Sequence, residues 1–433
     1  MHISSVIKKL LNVKDIVVKD IRFEPFEKDE AMIVTVRPAA RQAGRCGICG
    51  RKSPGYDTGT KARRWRSLDF GTFRVFIECD LPRVFCKKHG VIAARVPFAR
   101  HGSWFTRDFE NMVAWLMLHA TRSCVSDLMR IAWETTGAIA KRVYEDVKGK
   151  VPDPFDGLVR IGIDETSYKK GHKYMTVIVN HDTGALIWAA KGHGKNVLDS
   201  FFQAMTEDQR ASIKFVTADG AGWITDCVEQ WCKNAERCID PFHVVQWATE
   251  ALDSVRKGAW RDAKRQESPS TKRSRGRPKK GEEKTQSKAS AVKGARYALL
   301  KNPENRTELQ DAQLELIVKS DPRLYRAYLL KEKLRLAFKL PVAQAKEEIA
   351  SWIKWAQHCR LPEFVELQRK IRRHMDAILA AIGNGMSNAR IEAINNKIKV
   401  TIRMGYGFRN IDNMIALLML RCSKLDVALP GRA

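Results

Sequence analysis

The chain has 433 residues, room for two or three domains, and carries 77 Lys and Arg against 49 Asp and Glu, a formal charge of +28. A hydrophobic share of 44% excludes a wholly disordered chain, and no apolar run approaches the roughly 18–20 residues of a membrane span. Ten cysteines are too few for a disulfide scaffold of this length and fit reduced thiols or metal ligands. The charge excess points to a polyanionic partner, and the charged N-terminal stretch lacks a signal-peptide core, so a soluble, intracellular protein is expected.

Residues 1–40 alternate loosely, as in KDIVVKDIRF and AMIVTVRP, and predict short strands. Residues 41–100 gather Cys46, Cys49, Cys79, Cys86 and His89 among basic and turn residues, a compact metal module. Between 105 and 149 the period becomes helical, and the segment VPDPFDG at 151–157 reads as a linker. LVRIGID, KYMTVIV and ALIWAAKG then predict three strands, the last two joined by NHDTG. A helix (NVLDSFFQAM), a strand (IKFVTAD), a helix (ITDCVEQWC) and a strand (RCIDPFHVV) follow, the order of an α/β sheet. Residues 264–280 hold eight Lys or Arg and one Glu, the composition of a disordered basic segment. From 291 to 382 the chain reads as almost entirely helical.

Cys46-Gly-Ile-Cys49 and Cys86-Lys-Lys-His89 are two knuckles offering the thiolate and imidazole ligands of a closed tetrahedral Zn2+ site, with Cys79 as an alternative ligand. Such a zinc ion would staple a small domain, and KARRWRS at 61–67 beside it could touch phosphates. In VSDLMRIAWETTGAIAKRVYEDV, Val125, Leu128, Met129 and Ala132 lie on one helical face. Ile139 and Val143 continue the stripe after a break near Glu134–Gly137, which predicts a helix-turn-helix.

Asp164 ends the strand Val159, Ile161, Ile163, and Asp219 closes Ile213-Lys-Phe-Val-Thr-Ala. Carboxylates at the ends of buried strands are costly unless paired or bound to a cation, and two together suit Mg2+. In SNARIEAINNKIKVTIRM, Ile391, Ile394, Ile398 and Ile402 form an apolar stripe. Asn388, Glu392, Asn395, Asn396, Lys399 and Arg403 form a polar ridge. A carboxylate among amides and cations fits a metal–phosphate site.

The segments Asp164-Glu-Thr, VTADG and SNARIEAINNKIK resemble those of a DDE transposase with a ribonuclease H-like fold. The order of zinc knuckles, helix-turn-helix, catalytic core and AINNKIK…GYGFRN tail is similar to the ISL3 family of bacterial insertion-sequence transposases. The resemblance implies a multidomain chain: an N-terminal zinc-binding α+β module (1–100), a helix-turn-helix (105–150), and an α/β ribonuclease H-like core (158–255 and 383–425). A mostly helical insertion (256–382), with a basic disordered loop at about 264–290, interrupts that core. It implies Asp164, Asp219 and Glu392 as a triad holding two Mg2+ (or Mn2+), with His243, in Asp240-Pro-Phe-His243, as an auxiliary residue near the scissile phosphate. It also implies double-stranded DNA as partner, backbone contacts from Lys399 and Arg403, a dimer or larger assembly on DNA, and a cytoplasmic, nucleoid-associated location. Arg275-Gly-Arg277-Pro resembles an AT-hook for narrow minor grooves. The alternatives are a DNA-binding regulator without catalysis, or a ribonuclease H-like nuclease without strand transfer.

Overall fold

The computed structural model describes residues 3–27, 29–266, 287–386 and 389–432; Arg275, Arg277 and Asn388 lie outside the described residues. The chain divides into two compact units, Met1–Asp153 with Asn396–Ala433, and Pro154–Asn395.

In the first unit, α1 (Ile3–Leu10) precedes β1 (Ile16–Phe26), β2 (Asp29–Pro38), β3 (Gly55–Arg66), β4 (Arg74–Cys86) and β5 (Gly90–Ala93). The sheet order is β1-β2-β4-β3 with β5 on β4, and β2 and β4 run parallel. The opening helix corrects the expectation of strands throughout 1–40. Ile7 of this helix and Leu11 just past its end are buried against Ile16, Val34, Trp65, Val75 and Ile77, and residues four apart share the same face of a helix.

Three helices follow: α2 (Arg107–His119), α3 (Arg122–Met129) and α4 (Trp133–Lys148). The Thr106 and Thr121 hydroxyls cap α2 and α3, accepting from the Phe109 and Cys124 N–H groups. The turn falls at 130–132, with Arg130 left-handed at φ 52°, and not at Glu134–Gly137, which lies inside α4. Val125 and Met129 are buried, but Leu128 is 61% exposed and Ala132 is exposed. A two-turn helix has room for one narrow buried stripe, and the i, i+4 pair takes it. Gly137 lets Arg122 and Asn413 close in, since a Cβ there would sit 3.1 and 3.0 Å from their side-chain nitrogens.

The second unit is built on β6 (Arg160–Lys169), β7 (Lys173–Asn180) and β8 (Ala185–Lys191), an antiparallel meander. After α5 (Lys195–Gln203) and α6 (Glu207–Ser212), β9 (Phe215–Ala218) pairs parallel with β6. After α7 (Gly222–Trp231), β10 (Glu236–Ile239) pairs parallel with β9. The order is β10-β9-β6-β7-β8, so β6, the first strand, is central. Ile161, Ile163, Ile178 and Val216 pack with Leu198, Phe201, Phe202, Ile224 and Val228 of α5 and α7.

The strand expected over RCIDPFHVV stops at Ile239, and α8 (Pro241–Gln266) begins there. Asp240 accepts from the Phe242 N–H at 2.9 Å, and proline is preorganised for a first helical position. The chain continues as α9 (Lys288–Gly294), α10 (Arg296–Leu300), α11 (Glu308–Ser320), α12 (Pro322–Ala337), α13 (Val342–Gln357), α14 (Pro362–Arg373) and α15 (Met375–Gly383). These helices share one core along α8, with Val244, Leu252, Leu324, Leu334, Trp352, Phe364 and Ile371 buried together. The helices α8 and α9 account for 264–266 and 288–290, so the basic loop expected at 264–290 is helical at both ends.

Two helices close the chain, α16 (Ala389–Met404) and α17 (Ile411–Cys422). The second packs Leu417 and Leu420 into the core of α2 and α4, with Val113, Met117, Ile139 and Val143. Among the described residues no helix is long and apolar enough to cross a membrane.

Candidate active site and DNA-binding elements

In the first unit the two knuckles meet. The Cys46, Cys49, Cys86 and His89 ligand atoms all lie within 4.8 Å of one another. Cys49 Sγ to Cys86 Sγ is 3.8 Å, and Cys46 and Cys86 Sγ lie 3.5 and 3.6 Å from His89 Nδ1. Thiolates bonded at about 2.3 Å to a tetrahedral zinc sit about 3.8 Å apart, so the group fits that ion. The backbone N–H groups of Lys88 and His89 draw the Cys86 thiol down to about 6, toward the thiolate a metal requires. Gly47 packs the first knuckle tightly, as a Cβ there would lie 2.6 Å from His101 Nδ1. Cys79 is excluded as a ligand. It is buried in the sheet core, its thiol donates to the Asp80 carbonyl, and burial pushes it up to about 11.

In the second unit Asp164 lies on the central strand, half-buried, and burial raises its carboxyl above the usual range. One oxygen accepts from the Glu165 N–H at 2.8 Å, and the other accepts from Asn395 Nδ2 of α16. His243 of α8 favours its ionised form electrostatically and Asp219 opposes it, so the three groups share one neighbourhood. Asp219 is exposed just beyond β9, with one carboxylate oxygen accepting from the Ala221 N–H at 3.0 Å. Arg237 donates to its backbone carbonyl.

The first half of α16 is seated on this sheet by Ile391 and Ile394, both buried. Ile391 packs onto Gly162, two residues before Asp164. An added Cβ at Gly162 would collide with it and lie 2.7 Å from His181 Nε2. His181 is itself fixed, 2.6 Å from the Thr217 hydroxyl. Gly162→Ala is therefore expected to destabilise the protein by about 1–3 kcal/mol and to shift α16, weakening DNA cleavage; thermal melting and a cleavage assay check both.

Glu392 is exposed. At about 100° per residue it lies about 60° around the helix from Asn395, whose side chain bonds Asp164. Asn396, Lys399 and Arg403 are also exposed on α16. Among the described residues the Cys46/Cys49/Cys86/His89 set is the one metal-type group in mutual reach. Asp164, Asp219 and Glu392 do not form such a group.

The sequence reading did not single out Glu165, whose carboxylate accepts from the Gly194 N–H at 3.0 Å ahead of α5. Nor did it find Trp247, whose ring packs on Gly220 beside Asp219, with Lys370 Nζ 3.5 Å from the ring centre. Asn395 was placed on the polar ridge, but its bond to Asp164 spans 231 positions. Its place one turn after Glu392 was the available signal.

A knuckle-held sheet, a helix-turn-helix and an α/β sheet with Asp164 in the middle of its central strand (not at the end of it, as expected) and Asp219 just past β9 define a DNA-processing enzyme of the transposase class. The chain belongs to the ISL3 family of transposases, whose family model matches residues 161–418. The zinc finger of transposases IS204/IS1001/IS1096/IS1165 matches 42–89, and the helix-turn-helix domain of transposase family ISL3 matches 94–144. The transposase for insertion sequence element IS1557 of Mycobacterium tuberculosis is 48% identical over 430 residues, covering 98% of this chain and 97% of the relative. The transposase for insertion sequence element IS1001 of Bordetella parapertussis is 23% identical over 413 residues, covering 94% of each.

Proposed function

We propose that this chain is a DDE transposase that binds the terminal inverted repeats of an insertion sequence, cuts DNA at those ends and joins them to target DNA. The observation that carries the reading is Asp164. It is a half-buried carboxylate on the central strand, sharing its surroundings with Asp219 and His243 and bonded by Asn395 one turn from Glu392. A purely DNA-binding regulator has no use for that arrangement.

The strand order, third-second-first-fourth-fifth with the last two parallel to the first, supports a ribonuclease H-like core. The helical block at about 256–382 is read as an insertion into it, between 158–255 and 383–425, behind a zinc module at 1–100 and a helix-turn-helix at 105–150. Cys46, Cys49, Cys86 and His89 are assigned as the ligands of a structural zinc ion.

Asp164, Asp219 and Glu392 would hold two Mg2+ (or Mn2+). The donor set is all carboxylate, and Asn395 Oδ1 beside Asp164 is buried without a hydrogen-bond partner among the described residues, a setting that suits a hard cation and its waters. When bound, the ions would activate the attacking oxygen and stabilise the leaving one. Asn395 and the Glu165 N–H hold the two Asp164 oxygens in fixed directions, which preorganises the site. His243, an electrostatic neighbour of Asp164, would serve as an auxiliary residue near the scissile phosphate. Water attacks the phosphorus at the element end, the P–O3′ bond breaks and a 3′-hydroxyl is freed. That hydroxyl then attacks a target phosphodiester, one P–O bond forming as one breaks, so joining needs no external energy source and no covalent enzyme intermediate.

Lys399 and Arg403 would hold DNA backbone, with Arg275 and Arg277 of the basic segment in a minor groove. Both ends must be held together, so a dimer or larger assembly on the DNA of the cytoplasmic nucleoid is inferred. The test is a supercoiled plasmid carrying this gene with its native flanks, incubated with purified protein and Mg2+, its products mapped by sequencing.

A further inference from the structure

The first unit carries a groove of about 590 Å³ between the β3 edge and the residues leading into α2. Lys61, Arg63, Arg64, Arg66, Phe76, Trp104 and Phe105 contribute to its lining, and none of its lining residues is acidic. Two of the cations are spoken for: Arg64 pairs with Glu78 and Glu24, and Arg66 pairs with Asp69. Arg63 differs. Its guanidinium lies 4.2 Å from the Trp104 ring centre and 5.0 Å from that of Trp65, it has no carboxylate partner among the described residues, and its buried Nε has no acceptor. Lys61 is exposed beside it.

Trp104 is 62% exposed, yet its backbone is anchored. Its carbonyl accepts from the Arg66 N–H at 2.9 Å, and the Thr106 N–H donates to the Arg66 carbonyl at 2.9 Å. Ser103 is fixed on both sides, its carbonyl accepting from Arg63 at 3.1 Å and its hydroxyl donating to buried Glu110 of α2 at 2.8 Å. Nothing in packing requires so large an apolar ring to be held out in water, and a pre-fixed side chain loses little entropy on binding. The register of β3 on β4 slips between Thr60 and Arg63, a bulge of the kind that re-aims side chains at a sheet edge.

We propose that this groove is a DNA-backbone site of the end-recognition half of the chain. A phosphate of duplex DNA seats on Arg63 and Lys61, with its deoxyribose against the open face of Trp104. The site rests on the transposase reading above. It is sequence-independent, since a phosphate and a sugar carry no base identity.

The test is fluorescence-anisotropy titration of the full chain, without divalent metal, against an element-end duplex and a scrambled duplex of equal length. Trp104→Ala is expected to weaken both about tenfold. Lys61→Gln and Arg63→Gln are each expected to lower the slope of log affinity against log salt by about 1, Lys61 being exposed and safe for folding. Wild-type affinity and slope in all three variants would overturn the groove alone, and so would a loss confined to the end duplex. Failure of the wild-type chain to bind end DNA would overturn the transposase reading and the groove with it.

Discussion

Asp164→Asn and Asp219→Asn proteins are expected to bind element ends as the unaltered chain does, yet to lose strand cleavage and joining by about 10³-fold or more. Removal of a preorganised electrostatic group at a reacting centre is felt on that scale. The substitutions are isosteric, so folding is little disturbed, and the binding elements at 42–89 and 94–144 are separate in sequence from both carboxylates. The loss should fall on Mg2+ and Mn2+ reactions alike, because an amide supplies one neutral oxygen where a hard cation is attracted by a charged carboxylate. Single-turnover cleavage of a labelled end, alongside anisotropy binding, separates the two effects. A variant that cuts at more than a tenth of the wild-type rate would remove that aspartate from the proposed triad.

The second large effect concerns zinc. Cys46→Ser or Cys86→Ser protein, or the wild-type chain stripped by a chelator, is expected to lose its zinc ion, melt at lower temperature and lose end binding. Structural zinc in small domains contributes about 10–16 kcal/mol of apparent binding energy that is spent on folding. The loop at 43–54 and the turn carrying His89 are tied by backbone bonds such as Gly47 N–H to the Ala93 carbonyl, but their apolar cluster is small, with Val84, Ala94 and Ile92 packed around Cys46 and Cys86. Cys79→Ser is the contrast, because Cys79 sits in the sheet core away from the knuckles. It should keep one zinc ion per chain, measured by metal analysis, while losing some stability. Full zinc content in Cys86→Ser protein would contradict the ligand assignment.

The parts of this molecule that were legible in the sequence are those where chemistry restricts residue type over short spans. Two knuckles at fixed spacing announce a metal whatever surrounds them, and the structure brings the four side chains together. The strands carrying Asp164 and Asp219 were visible because alternation and apolar runs are local signals, but the first was expected to end at Asp164, whereas β6 runs on to Lys169 through the polar residues Glu165, Thr166 and Ser167, so Asp164 stands mid-strand. What escaped depends on long-range packing. Helix α1 looked like a strand because Ile7 and Leu11 find their partners in a sheet that forms later in the chain. The turn between α3 and α4 was misplaced because it uses a left-handed Arg130 instead of the glycine at 137, which serves close packing. Gly162 gave no signal of its own, since its role is to admit Ile391 from a helix more than two hundred positions away. The Asn395–Asp164 bond is hidden for the same reason, although the period of α16 put Asn395 one turn from Glu392.

The central claim, that one site both cuts element ends and joins them, is tested most directly by mapping the products of the plasmid reaction. The account predicts breaks at the flanking inverted repeats that leave 3′-hydroxyl ends, followed by joined products in which those ends are linked to new target positions. All of these should require Mg2+ or Mn2+ and should be absent with Asp219→Asn protein. Cut ends that never join would contradict the account in favour of a nuclease, and tight binding of the flanks without any break would contradict it in favour of a regulator.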